Sequence, residues 1–363
     1  MAATPPFNAD ENGRRRRAVP WWGVLVLAIA LVALVGLPGL LSGGRRPVAS
    51  EGVSVSPSTI AGGPTANATS SPVAASTSPS PSSEGSTGSV IPSSAGLPTA
   101  GWPTIGHIYE IVLENHELSS IVGRSSAPYL NSLAAEFGLA ANYTAVSHPS
   151  LPNYLALWSG STQGVTNDAV HDFTTGQTLG DQILSSGRSW HVAAENVPTG
   201  CFTGATASGG EDGAGTYARK HEPAISWTSV SSSPDACGRI TDFSHFDPTV
   251  GNFWFIAPNL CHDMHDCSVA SGDAWLKGFL PRILDSAAFK ADGLVLLTFD
   301  EGSSGAGGGG TVATIVISPK ARPGFRSNTA HDHYSLLRTI ETLWGMPCLE
   351  QSCSADTLRE FFP

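Results

Sequence analysis

The sequence holds several clusters whose residue types could do chemistry together. Asp300-Glu301 follows a mostly apolar run and precedes Gly302 and a Gly-rich loop. Adjacent carboxylates in that setting repel each other unless they share a proton or a cation. Glu114-Asn115-His116 closes another apolar run and brings further oxygen donors. Pooled, Glu114, Asn115, Asp300 and Glu301 form an oxygen-rich set suited to a hard divalent ion such as Mg²⁺ or Ca²⁺. Taken singly, each pair could equally be solvated loop acids.

The most distinctive motif is His148-Pro-Ser-Leu-Pro-Asn-Tyr154, in which prolines on either side confine Ser150 to a rigid turn before an apolar helical stretch. A serine at a helix start can be a cap and nothing more. The same terminus also favours a phosphate, through its backbone N–H groups and dipole, and a cation at the hydroxyl would turn it into a nucleophile. The segment Pro258–Cys267 places His262, Asp263, His265 and Asp266 within a single turn's reach. Capping accounts for one Asp there, not for both histidines. Tyr217-Ala-Arg-Lys-His221 adds positive charge suited to an anionic group, unless it is a solvated basic turn, and His333 stands just before the last helical pattern.

The elements that must position these groups alternate between apolar runs and helical periods. Strands are expected at His107–Leu113, Trp190–Ala194, Asn252–Ala257, Gly293–Phe299 and Val312–Ile317, several of them apolar on both faces. Helices are expected near Pro128–Glu136, Leu179–Ser186, Ala274–Ser286 and Tyr334–Leu343. This interleaving predicts one α/β domain over 102–363, with a mostly parallel central sheet flanked by helices. In such sheets ligands bind beyond the carboxyl ends of the strands, which is where Glu114, Asn259–Asp266 and Asp300-Glu301 fall.

The chain has 363 residues, 19 basic against 30 acidic, and 41% hydrophobic residues, enough for a core. Six Arg and two acids lie in residues 1–46, so the remainder carries 13 basic and 28 acidic residues. Such an acidic body argues against nucleic-acid binding, which draws on basic patches. Arg14–Arg17 precede a charge-free stretch from Ala18 to Gly44. That pattern predicts a cytoplasmic N-terminus over 1–17 and a transmembrane signal anchor, or alternatively a cleaved signal peptide, over 18–42. The Ser/Pro/Thr/Gly-rich stretch 43–101 is too poor in large apolar residues to fold and is expected to be a disordered linker. The catalytic body would then lie outside the cytoplasm, held at the cell membrane or secreted. Six cysteines in the body suit disulfides there. The close pairs Cys261/Cys267 and Cys348/Cys353 are natural candidates among fifteen pairings, leaving Cys201 with Cys237.

Taken in order, Glu114-Asn115-His116, His148–Tyr154, Asn259–Asp266, Thr298–Glu301 and His333–Glu341 resemble the bacterial phosphoesterase family of secreted acid phosphatases and phospholipases C, within the alkaline phosphatase superfamily. The resemblance spans roughly Gly106 to Leu349, and Tyr217–His221 looks most like the acid phosphatase branch, some members of which dephosphorylate phosphatidylinositol 3-phosphate. It implies Ser150 as nucleophile, and Glu114, Asn115, Asp300 and Glu301 holding a divalent ion that also touches the Ser150 oxygen. It implies catalytic roles for His265, His333 and His221, and substrate contacts from Asn153, Lys220 and Asp263. Two-zinc relatives carry Asp-His where this chain has Asp300-Glu301, which favours a Mg²⁺- or Ca²⁺-like ion over zinc. The expected substrate is a phosphate ester, a small molecule or a phospholipid head group, with a phosphomonoester preferred to a diester. The expected protein is a monomer. A non-catalytic, metal-binding surface module on a stalk is the remaining alternative.

Overall fold

The computed structural model describes residues 101–209 and 215–363. The expected N-terminal stretch, the anchor and the linker up to residue 100 lie outside the described residues. Among the described residues, no helix is long and apolar enough to cross a membrane.

Eight strands make the central sheet: β1 His107–Leu113, β2 Gly138–Ala140, β3 Trp190–Ala194, β4 Ile240–Thr241, β5 Phe253–Ala257, β6 Gly293–Phe299, β7 Thr314–Ile317 and β8 Phe325–Ser327. Their spatial order is β8-β2-β7-β6-β1-β5-β3-β4. From β6 to β4 every neighbouring pair is parallel, whereas β7 runs antiparallel to both β6 and β2. The sheet is thus mostly parallel, as the apolar runs predict. β1, β5, β6 and β7 are buried almost throughout, so their residues are mostly apolar and show no polar–apolar alternation.

The main helices are α1 Pro128–Glu136, α2 Ser150–Ser159, α3 Leu179–Ser185, α4 Val269–Phe279 and α5 His333–Leu343. The helix expected over Ala274–Ser286 is instead broken: α4 starts earlier, with Ser268 capping the Ser271 N–H, and Pro281 opens a separate turn Pro281–Leu284. Proline lacks the N–H needed to continue a helix and is tolerated at its first turn. All ten residues of α2 are buried, with Trp158 packed edge-on against Trp190 and Phe255. The helix stops at Gly160, in the left-handed region at φ 72°, where a β-carbon would come within 2.1 Å of the Leu349 carbonyl. Three disulfides join Cys201–Cys237, Cys261–Cys267 and Cys348–Cys353, the pairing that spacing favours.

Candidate active site

β1 and β6 run in register, Leu113 beside Phe299, so the residues that follow them, Glu114 and Asp300-Glu301, emerge together at the carboxyl edge of the sheet. β5, on the other flank of β1, leads into the Asn259–Asp266 loop. The Cys261–Cys267 disulfide closes that loop, and the Glu114 N–H donates to the Asp263 carbonyl at 2.8 Å. α2 supplies Ser150 as its first residue.

Ser150 Oγ donates to Glu114 Oε2 at 3.0 Å and reaches Glu301 Oε1 at 3.4 Å. Ser150 is 1% exposed, and Glu114 and Asp300 are fully buried. Asn115 adopts φ 55°, a left-handed conformation that Asn tolerates better than most residues. Its backbone N–H donates to Asp300 Oδ1 at 3.0 Å. Its carboxamide lies against the three carboxylates, and with the nitrogen turned inward it would donate to Glu114 Oε2 and Glu301 Oε1 at 3.1 Å and to Asp300 Oδ1 at 3.3 Å. With the amide oxygen turned inward instead, the same four residues become an all-oxygen cage.

The electrostatics fit a cation. Burial, then the charges of Asp300 and Asp263, hold the Glu114 carboxyl well above the ordinary range. Burial, then Glu301, pushes Asp300 up to about 7. Burial likewise raises Glu301 and Asp263. Asp300 Oδ2 is buried with no hydrogen-bond partner. A divalent ion among these oxygens would satisfy that atom and relieve the mutual repulsion.

A second group shares Glu114. Donor atoms of Glu114, His221 and Asp263 all lie within 4.8 Å of one another, and all three residues are buried. His221 Nδ1 meets Asp263 Oδ2 at 3.1 Å, and its Nε2 stands 3.2 Å from Glu114 Oε1 but out of line for a hydrogen bond. Burial, with Lys220 and His265 nearby, pulls the His221 pKa well below its usual value. Its imidazole is therefore neutral and carries a lone pair for a metal. The Tyr154 ring stacks on it at 5.1 Å and donates its hydroxyl proton to Glu114 Oε1.

The remaining expected residues fall into two classes. Lys220 and His265 border the site: Lys220 Nζ is 3.5 Å from His265 Nε2, and His265 Nδ1 meets Asp266 Oδ1 at 2.7 Å. Asn153 and His333 stand behind it. The Asn153 side chain is fully buried, its oxygen accepting from the Val146 and Ser147 N–H groups at 3.0 and 3.1 Å and its nitrogen donating to the Ser147 carbonyl at 2.9 Å. An amide so occupied shapes the turn before Ser150 and has nothing left for a substrate, contrary to expectation. His333 meets the Asp300 carbonyl through Nε2 at 2.6 Å and the Tyr143 hydroxyl through Nδ1 at 3.0 Å. Burial lowers its pKa to about 4.

Three contributors escape the sequence reading. Tyr154 and His148 lie inside the quoted motif, and His148 pairs with Glu301 Oε2 through Nδ1, yet no spacing rule singles them out. Asp168 has no sequence signal at all. It sits in a polar loop, accepts the Leu151 N–H at 3.0 Å and pairs with Lys220 Nζ at 2.9 Å. Glu117 then fastens the Gly-rich loop, accepting from the Ser303, Ser304 and Thr311 N–H groups at 2.9–3.2 Å. That loop lies directly on the turn before Ser150: a β-carbon at Gly308 would come within 2.5 Å of the Val146 carbonyl, and one at Gly309 within 2.4 Å of the Ser147 carbonyl.

Comparison with known proteins adds four findings. The sequence matches the phosphoesterase family model over residues 114–347. It is 35% identical over 275 residues to a phosphatidylinositol-3-phosphatase of Mycobacterium tuberculosis, covering 74% of this chain and 86% of that one. It is 28% identical over 260 residues to an acid phosphatase of Aspergillus fumigatus, covering 69% of this chain but only 58% of the fungal protein. In structure it is similar to the lipoteichoic acid synthase LtaP of Listeria monocytogenes, with a TM-score of 0.50 at 10% identity over 74% of this chain and 80% of that one.

Proposed function

The chain belongs to the phosphoesterase family, hydrolases of phosphoric esters, and on that premise we propose that it is an exported, metal-assisted acid phosphatase with Ser150 as nucleophile. The observation that carries this reading is the Ser150 hydroxyl, held at the head of α2 within 3.0 Å of Glu114 and 3.4 Å of Glu301. Glu114, Asn115, Asp300 and Glu301 would hold one divalent cation, of the Mg²⁺ or Ca²⁺ kind, and His221 with Asp263 and Glu114 would offer a mixed nitrogen–oxygen seat beside it. The cation, when bound, supplies charge neutralisation at the reacting oxygens.

The chain's own residues account for the remaining steps. Ser150 Oγ attacks phosphorus while its proton passes to Glu114 Oε2, and the bond to the leaving alcohol breaks as the Oγ–P bond forms. His265, its Nδ1 held by Asp266, gives the Nε2 proton to the leaving oxygen. Water then attacks the phosphoserine, returning a proton to His265, and Glu114 restores the Ser150 hydroxyl. The Lys220 ammonium, shared with Asp168 at 2.9 Å, would stand beside the phosphoryl oxygens, and its charge would suit a monoester dianion better than a diester. The likeness to a phosphatidylinositol-3-phosphatase supports counting phosphoinositides such as phosphatidylinositol 3-phosphate among the monoesters. Three disulfides support an exported body, and the charge-free stretch of 18–42 supports attachment at the membrane.

The test is Ser150→Ala. It should unfold at the wild-type temperature and lose about 10³-fold or more of its turnover of p-nitrophenyl phosphate. Activity near wild type would remove Ser150 from the reaction. Preference for bis-p-nitrophenyl phosphate over the monoester would replace the phosphatase reading with a phospholipase C-type diesterase.

A further inference from the structure

A cavity of about 120 Å³ lies against the first turn of α2, bounded by Leu151, Val170, Ala205, Ala218 and Leu260, with Lys220 at its edge. Leu151 directly follows Ser150, and Lys220 is the neighbour of His265. Lys220 thus joins the cavity to His265, which in the reading above protonates the leaving oxygen, and the inference that the departing alcohol enters here rests on that reading. The lining is chiefly apolar, and Val170 keeps 45% of its surface exposed at the rim. The size is that of one ring, since cavities of ~150 Å³ with apolar walls take up benzene.

The charges around the cavity narrow its occupant further. Arg219 and Lys220 both line it. Each is already matched: Arg219 Nη2 pairs with Asp172 at 2.5 Å and Lys220 Nζ with Asp168 at 2.9 Å. The pocket therefore offers no uncompensated cation to a second anionic group on the alcohol, and burying such a group unpaired is costly.

We propose that this cavity is the alcohol subsite and that it selects a single uncharged ring, making aryl phosphate monoesters the preferred class. Ground-state inhibitors test it without the bias that a good leaving group brings to turnover. With cation-loaded enzyme, phenylphosphonate should inhibit at least tenfold more tightly than methylphosphonate. Ala205→Phe, at an exposed position that fills the cavity, should bring the two within about twofold while leaving inhibition by inorganic phosphate unchanged. Equal inhibition by the two phosphonates in the wild type, a difference that survives Ala205→Phe, or tighter binding of inositol 3-phosphate or a phosphoinositide than of phenylphosphonate would each overturn the subsite while leaving a phosphatase in place. No turnover of any phosphomonoester would remove the phosphatase reading and the subsite with it.

Discussion

His333 Nε2 lies 2.6 Å from the backbone carbonyl of Asp300. Since a carbonyl can only accept, Nε2 carries the proton and Nδ1 accepts from the Tyr143 hydroxyl, 3.0 Å away. The imidazole is thereby fixed in one tautomer and spent on holding the end of β6.

With its pKa near 4, His333 stays neutral from about pH 5 upward. His333→Gln should therefore lower kcat/KM about tenfold by loosening Asp300, and leave the shape of the pH–rate profile unchanged. Loss of one limb of that profile would instead make His333 a proton-transfer group.

The crowd of raised carboxylates around Ser150 predicts dependence on a cation. Chelation with EDTA should abolish turnover of p-nitrophenyl phosphate and lower the unfolding temperature, and adding back Mg²⁺ or Ca²⁺ should restore both. At a concentration 100 times Kd the ion would contribute about 2.7 kcal/mol to stability. Glu114→Gln, which touches both donor groups, should weaken binding at least tenfold by calorimetry on stripped protein. Indifference to EDTA would demote the cage to hydrogen-bonded loop acids.

Asp168 holds the Leu151 N–H and the Lys220 ammonium, two donors that a phosphoryl group would also seek. Burial alone would lower the Lys220 pKa, but the contact with Asp168 and the charges of Glu114 and Asp300 together outweigh it and raise it. Asp168→Asn keeps an acceptor for Leu151 while removing the charge. The pair is partly exposed, its side chains 19% and 31% accessible, so the effect is modest: inhibition by inorganic phosphate should tighten about threefold. Weaker inhibition would show that Asp168 serves to position Lys220 for substrate.

Glu110, in the middle of β1, is fully buried, and neither carboxyl oxygen has a hydrogen-bond partner. Burial pushes its pKa up to about 8. The folded protein thus holds this proton where the unfolded chain has released it, so the stability is greatest below pH 4.5 and declines as pH climbs toward 8. The decline from this group is on the order of a few kcal/mol. Thermal unfolding of Glu110→Gln between pH 5 and 8.5 should show a flatter profile than wild type. Identical slopes would mean that the carboxyl finds a partner or a water.

The long buried elements were legible because a strand covered on both faces leaves a mostly apolar run: β1, β3 and β6 match their expected bounds, despite Glu110 in β1 and His191 in β3. β2, β4 and β8, at two or three residues each, are too short to show any period. The reversed direction of β7 leaves no trace in its own residues either. At the site, Glu114, Asn115, Ser150, Asp300 and Glu301 were legible because strand ends and a proline-flanked turn mark them locally, and the structure brings all five together. Asn153 and His333 look the same as site residues in sequence, since an amide or imidazole folding a turn differs from one facing a ligand only in which atoms surround it. Asp168 belongs to no pattern because its partners, Leu151 and Lys220, are 17 and 52 residues away.

The bare α-carbons of Gly308 and Gly309, against the carbonyls of Val146 and Ser147, mean that two main chains share a boundary with no room for even a methyl group. The aim of the Ser150 hydroxyl is consequently set by a steric clearance as well as by the hydrogen bonds of Asn153 and Glu114. A harmless-looking alanine in that loop would misalign the reaction centre while leaving every reacting group chemically intact.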